Sequence, residues 1–321
     1  MNRPRSFTTV KNVAKVLVSV ILLSLVLRGV VWEDIRRALG GVRLPCLAVA
    51  AALSVLSVVI RAVRWKLLTD SLGIGASLRS LVKLYFVGTF FSNLLPTGVG
   101  GDAVRAYELS RQTKSPASGV GSVVIERALG LLVQLTIGSV ALVFASGLIG
   151  SSLELVIVLL GAAGWAGCVL LVYCDWSRLA ALLRMPVLHK LQSAADVVRS
   201  CGWSPIWRAG LVSLVLSAVL IGTNYMVALA LGVAINPWYF VLFVPIISSL
   251  LLLPVSVSGW GVREWAYVHL FSSAGVIPAQ ALTLSVLVQT MAMGNGLIGA
   301  LCNAAGGIAA LAKRDAGKRP G

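Results

Sequence analysis

At 321 residues the chain is 58% hydrophobic and 12% charged, with mean hydropathy +0.93 and 27 Lys and Arg against 11 Asp and Glu. A soluble protein carries about a quarter charged residues, so a soluble enzyme or soluble nucleic-acid-binding domain is excluded. The net charge of +16 lies in short segments between apolar runs, where basic residues set topology instead of forming a basic face for nucleic acid.

The first apolar segment, 16–32, follows Arg3, Arg5, Lys11 and Lys15; no small-residue cleavage site follows Leu27, so it reads as an uncleaved anchor with Arg28 snorkelling. WEDIRRALGG, 32–41, has the pattern of a short amphipathic interfacial helix. The second span, 44–60, closes on RAVRW, Arg61 to Trp65, which fits a positive-inside and aromatic-belt anchor, with a binding role as the alternative. Segment 84–95 is too short to cross about 30 Å of hydrocarbon. Glu126 and Arg127 open the long apolar run 118–146, either as an interface pair or within reach of the preceding turn. After 152–173, segment 174–208 has no spanning candidate and is too short for a core of its own; it reads as a cytoplasmic loop with an interfacial stretch at 176–201. Segments 208–233, 238–253 and 276–303 follow, the middle one again short.

Counting basic residues sets the orientation. The N-terminus, 61–83, 174–208 and the tail KRDAGKR are all basic, yet three apolar segments separate each later pair. If 84–95 and 238–253 dip in and return, 22 basic residues lie inside and five outside, with both termini cytoplasmic. This predicts an all-α polytopic membrane protein with about six spanning helices and two re-entrant helical hairpins, in a single transmembrane domain over 1–321. The alternative is eight plain spanning helices.

The two short segments end alike. LLPTGVGGDAVR, 94–105, and LLPVSVSGWGVR, 252–263, share seven of twelve residues at an offset of 158, including a Pro, a Gly and an Arg. The same offset maps the flanking spans onto each other and, by the charge count, in opposite orientation. The expectation is an inverted repeat, with repeat one about 44–146 and repeat two about 202–303. Inverted repeats broken by Pro and Gly at membrane depth point to a transport fold with its site at the repeat interface.

Each hairpin tip joins helix breakers to ionisable residues: Pro96, Gly100 and Gly101 with Asp102 and Arg105; Pro254, Gly259 and Gly261 with Arg263 and Glu264. Charges at such depth face a cavity or one another. Local neutralisation of Asp102 by Arg105 and of Arg263 by Glu264 is one reading. The other makes Arg105 and Arg263 a phosphate-recognising pair, oriented by Asp102 and Glu264, with Arg61 and Arg64 next in line. Five scattered cysteines and two histidines supply neither a disulfide framework nor a metal site, and no cofactor motif is present.

RxxRW after the second span, P-x-G-x-G-G-D-x-x-R, the Glu126-Arg127 pair and P-x-S-x-x-G-x-G-x-R-E together resemble the transmembrane region of lysylphosphatidylglycerol synthases and the wider flippase-like family, over nearly the whole chain. The resemblance implies lipid translocation between leaflets and carries over to Arg61, Arg64, Asp102, Arg105, Glu126, Arg127, Arg263 and Glu264. Ser258 and Trp260 flank a lone Gly259 where a Gly-Gly pair is commoner in that family. No aminoacyl transferase domain is expected in this sequence, so lysine transfer is not carried over. The expectation is a lipid translocator of the cytoplasmic (inner) membrane moving a phosphate-bearing or aminoacylated lipid, without nucleic acid. A lipid-modifying membrane enzyme, with Asp102 or Glu264 as base, and a partner subunit of a lipid or glycan pathway are the alternatives.

Overall fold

The computed structural model describes residues 21–28, 32–94, 100–111, 113, 116–144, 151–174, 176–178, 186–252 and 258–316. Among these the labelled helices are α1 (Trp32–Gly40), α2 (Leu44–Ser71), α3 (Leu78–Leu94), α4 (Gly100–Arg111), α5 (Pro116–Phe144), α6 (Ser151–Tyr173), α7 (Pro186–Cys201), α8 (Trp203–Ala230), α9 (Trp238–Leu252), α10 (Val262–Ser273) and α11 (Pro278–Ala316). Among the described residues five stretches are long and apolar enough to cross a membrane: Leu44–Ser71, Ala117–Leu142, Glu154–Tyr173, Trp203–Ala230 and Pro278–Cys302. They coincide with five of the six expected spans. Of the sixth, 16–32, residues 21–28 are described and are helical; Pro96 and Pro254 lie outside the described residues.

The largest departure from the sequence reading is the length of α2. The apolar run stops at residue 60, but the helix continues through Arg61, Arg64 and Lys66 to Ser71. Nothing in 61–71 breaks a helix, and the Lys66–Asp70 pair, 2.5 Å apart, supports its last turns. The helix stops at Gly73, which takes φ +70°; Ile74 N–H then reaches back to the Thr69 carbonyl at 2.8 Å. α8 ends in the same way at Gly232, φ +70°, with Val233 N–H on the Ala228 carbonyl at 2.9 Å. Both are left-handed closures that glycine adopts without Cβ strain.

α3 and α9 have 17 and 15 residues, about 25 and 22 Å of helix at 1.5 Å per residue and short of a bilayer core. Each is followed by a 12-residue helix that turns back along it. In the first pair Gly101 sits beside Gly88 and Ser92, and Arg105 beside Gly88 and Tyr85. In the second, Phe271 packs on Phe240 and Phe243, while Gly259 approaches Leu251. The order long, short, short, long thus occurs twice, in α2–α5 and in α8–α11.

The contacts follow the same order. α2 packs most extensively on α8, α3 packs on α11, and α9 packs on α5. α2 and α8 run antiparallel: Arg43 N–H donates to Ala230 O (2.9 Å), Gly222 faces Leu53, and Arg64 donates to Ser213 Oγ (3.1 Å). The main apolar core lies around α8–α10, with Phe240, Phe243 and Phe271 fully enclosed. A second core joins α2, α3 and α4 around Trp65, Leu81 and Leu109. α6 packs on α5 and α7 and is otherwise exposed.

Candidate functional site

Arg61, Arg64 and Trp65 leave the last turns of α2 on the side facing α4 and α5. Trp65 is wholly buried and its indole N–H donates to Ser122 Oγ at 3.0 Å, so it is a core residue and not the belt anchor expected of RAVRW. Arg64 is buried against Glu126, donating to Oε1, and its second nitrogen reaches Ser213 on α8. Glu126 Oε2 accepts from Arg105 at 3.0 Å. Arg105 in turn lies 3.3 Å from Asp102 Oδ1, and Asp102 pairs with Arg127. The result is a line of alternating charge, Arg64, Glu126, Arg105, Asp102, Arg127, joining α2, α4 and α5.

Arg105 is held on its faces too. Its guanidinium carbon is 3.7 Å from the Tyr85 ring centre and 4.4 Å from that of Trp65, within cation–π range. The two rings meet edge to face, their centres 5.6 Å apart. Buried charge is tolerable only with such pairing. The even choice left open for Glu126 and Arg127 is decided: both reach α4, the helix that follows the first tip.

Beyond this network lies a cavity of about 320 Å³, reached by Arg61, Asp102, Arg105 and Arg127 from one side and by Arg263 from the other. An adjoining space of about 240 Å³ adds Arg64 and Glu126. Among the described residues, five arginines meet two carboxylates here, an excess of three positive charges. Arg263 Nη1 donates to Gln289 Oε1 on α11, much as Arg105 donates to Glu126 on α5, but the acceptor is a neutral amide. Arg61 has neither a hydrogen bond nor an ion pair with another described residue. The remaining polar wall is neutral: Asn224 accepts from Tyr267 OH at 2.5 Å, and Asn295 donates to Ser54 Oγ at 2.8 Å.

Seven of the eight expected ionisable residues therefore meet at the two spaces. Glu264 does not. It is 1% exposed and its Oε2 accepts from Gly261 N–H at 2.7 Å, closing the first turn of α10. Gly100 opens α4; Gly259 and Gly261 precede α10 with φ of +84° and +82°. The turn before α10 touches the end of α3, Ser258 Oγ donating to Ser92 O at 3.1 Å. Tyr85, Asn224, Gln289 and Asn295 belong to the wall and were not singled out from the sequence. Their signal was present, since amides inside apolar spans are as conspicuous as charges there.

The chain is 28% identical to the glycosyltransferase AglD of Haloferax volcanii over an alignment of 332 positions. That alignment covers 89% of this chain and 52% of the relative, so the chain spans about half the length of the curated protein it matches. Residues 12–298 match the family described as "Lysylphosphatidylglycerol synthase TM region". With its apolar helices in place and nine-tenths of its length matched, the chain is an integral membrane protein that belongs to the lysylphosphatidylglycerol synthase transmembrane-region family.

Proposed function

We propose that the protein is a lipid translocator of the cytoplasmic membrane, moving a phosphate-bearing lipid between leaflets. The observation that carries this reading is the cavity itself: five arginines against two carboxylates, each carboxylate already held by two arginines. Arg61 and Arg263 retain the most donor capacity and are assigned to the substrate phosphate. Arg64, Arg105 and Arg127 set the shape and potential of the site. A cationic, aminoacylated headgroup finds no uncommitted acid among the described residues of this wall, so a net-anionic headgroup fits better. The relative named as a glycosyltransferase adds a glycan pathway as the context for such a lipid.

The twofold helix order and the antiparallel run of α2 and α8 support an inverted repeat over about 44–146 and 202–303, with the two short hairpins re-entrant and both termini cytoplasmic. The cavity then lies at the repeat interface. A lipid-modifying enzyme is the weaker reading, because Asp102 is engaged by two arginines and Glu264 caps a helix.

The test is leaflet exchange in proteoliposomes of labelled lipids with anionic, zwitterionic and cationic headgroups. Anionic phosphate lipids should exchange fastest, and Arg263→Lys should slow exchange about ten- to a hundredfold, as expected for loss of one charge-assisted contact of about 1.5–3 kcal/mol. Exchange without headgroup preference, or parental rates for Arg61→Ala and Arg263→Lys alike, would refute the assignment.

A further inference from the structure

Beside the arginine-lined spaces, a groove of about 330 Å³ opens between α5, α6 and α9, walled by Leu131, Leu135, Leu160, Ile246 and Leu250. Among the described residues no charged side chain contributes to it. It adjoins the charged space through one residue: Gln134 lines both. α9 is a shared wall, with Ser248 and Leu251 on the arginine side and Ser249 and Leu250 on the apolar side. Gln134 is 7% exposed, and its Oε1 is buried without a hydrogen-bond partner. A buried acceptor with no partner at a boundary between charged and apolar space is free to accept from a donor on a bound molecule.

We propose that this groove holds a hydrocarbon chain of the lipid whose phosphate the arginines bind, with Gln134 at the junction of head and tail and its carbonyl placed for a hydroxyl of the headgroup. The inference rests on reading the arginine cavity as a lipid headgroup site, and it adds where the tail goes. The chemistry of the two spaces is complementary to the two halves of one amphiphile: an excess of positive charge for the phosphate, and a wall of Leu and Ile for the chain. The outer wall, α6, is exposed along most of its length, so a tail in the groove stays continuous with the bilayer while the head is enclosed. Only the headgroup then has to leave the membrane surface.

The experiment uses the full chain in nanodiscs and phosphatidylglycerol with a diazirine at the end of one acyl chain; diacylglycerol with the same chain is the control. Photolabel from phosphatidylglycerol should map to residues 131–138 and 246–250 and fall about tenfold in an Arg61→Ala/Arg263→Ala variant, with diacylglycerol labelling low and unchanged. Ala163→Trp, at an exposed position on α6 that lines the groove, should lower the labelling about tenfold while leaving the binding of soluble glycerol phosphate, measured by calorimetry, unaltered. Labelling that ignores the arginines makes the groove a seat for bulk lipid only and overturns the inference, as does label on other segments or an Ala163→Trp variant that labels like the parent. If glycerol phosphate does not bind the parent protein, the headgroup reading itself falls; if it binds while the chain label maps elsewhere, only the tail assignment falls.

Discussion

Glu126 anchors the buried charge network, because one carboxylate serves two arginines from different helices. Glu126→Gln leaves Arg64 and Arg105 with an amide where each needs an anion, and breaking a buried ion pair from one side costs about 3–5 kcal/mol. The variant should melt well below the parent in detergent, measured by thermal unfolding. Arg105→Lys should also lower the midpoint, since a lysine cannot bridge Glu126 and Asp102 while lying flat between Trp65 and Tyr85. Arg61→Ala should leave the midpoint near the parental value, which separates residues that build the site from those left to meet a ligand. At this scale the sequence named charges that line the two spaces but not their partners: Arg105 and Arg263 look equivalent in the repeat, yet one faces a carboxylate and the other an amide. Glu264 lines neither space, because a Glu three positions beyond a helix start closes that helix locally.

The hairpin of α3 and α4 depends on close approach. A Cβ on Gly101 would collide with the Gly88 carbonyl and Ser92 Oγ, so Gly101→Val forces the two helices apart. Such overpacking costs about 1–3 kcal/mol. Because Arg105 lies one turn further along α4, the displacement also pulls its guanidinium from Glu126. The expected outcome is a lowered melting midpoint together with loss of lipid exchange, whereas Gly167→Val on α6, where a Cβ meets nothing, should change neither. Helix boundaries were the least legible feature at this scale. Hydropathy stops at residue 60 whereas α2 stops at a glycine, and the eleven residues between are amphipathic helix with arginines turned inward.

Across the whole molecule, the proposed inverted repeat makes a topological prediction. In a cysteine-free background, Thr113→Cys follows the first hairpin and Ser273→Cys ends the second, so impermeant reagents should label them from opposite sides, position 113 from the cytoplasm and 273 from the periplasm. Labelling of 113 from the periplasm would restore eight crossings. The helix order and the antiparallel α2–α8 packing motivate the test, and the charge count motivates its sign.

The sequence by itself determined that this is a helical membrane protein and placed five of its apolar helices, and of the eight ionisable residues it singled out, seven line the two spaces. It did so because burying charge or breaking a helix in hydrocarbon is so costly that every Arg, Asp or Pro there is conspicuous. It left Arg61 and Arg64 open between a cytoplasmic anchor and a binding role, because a linear tally cannot distinguish an arginine facing water from one turned toward a carboxylate on another helix. Only the tertiary structure decided that, since Glu126 lies 62 residues from Arg64 and is brought to it by the packing of α2 on α5. The excess of positive charge facing the cavity is the outcome of that packing: it depends on which arginines find an acid, and pairing between distant helices is decided in space.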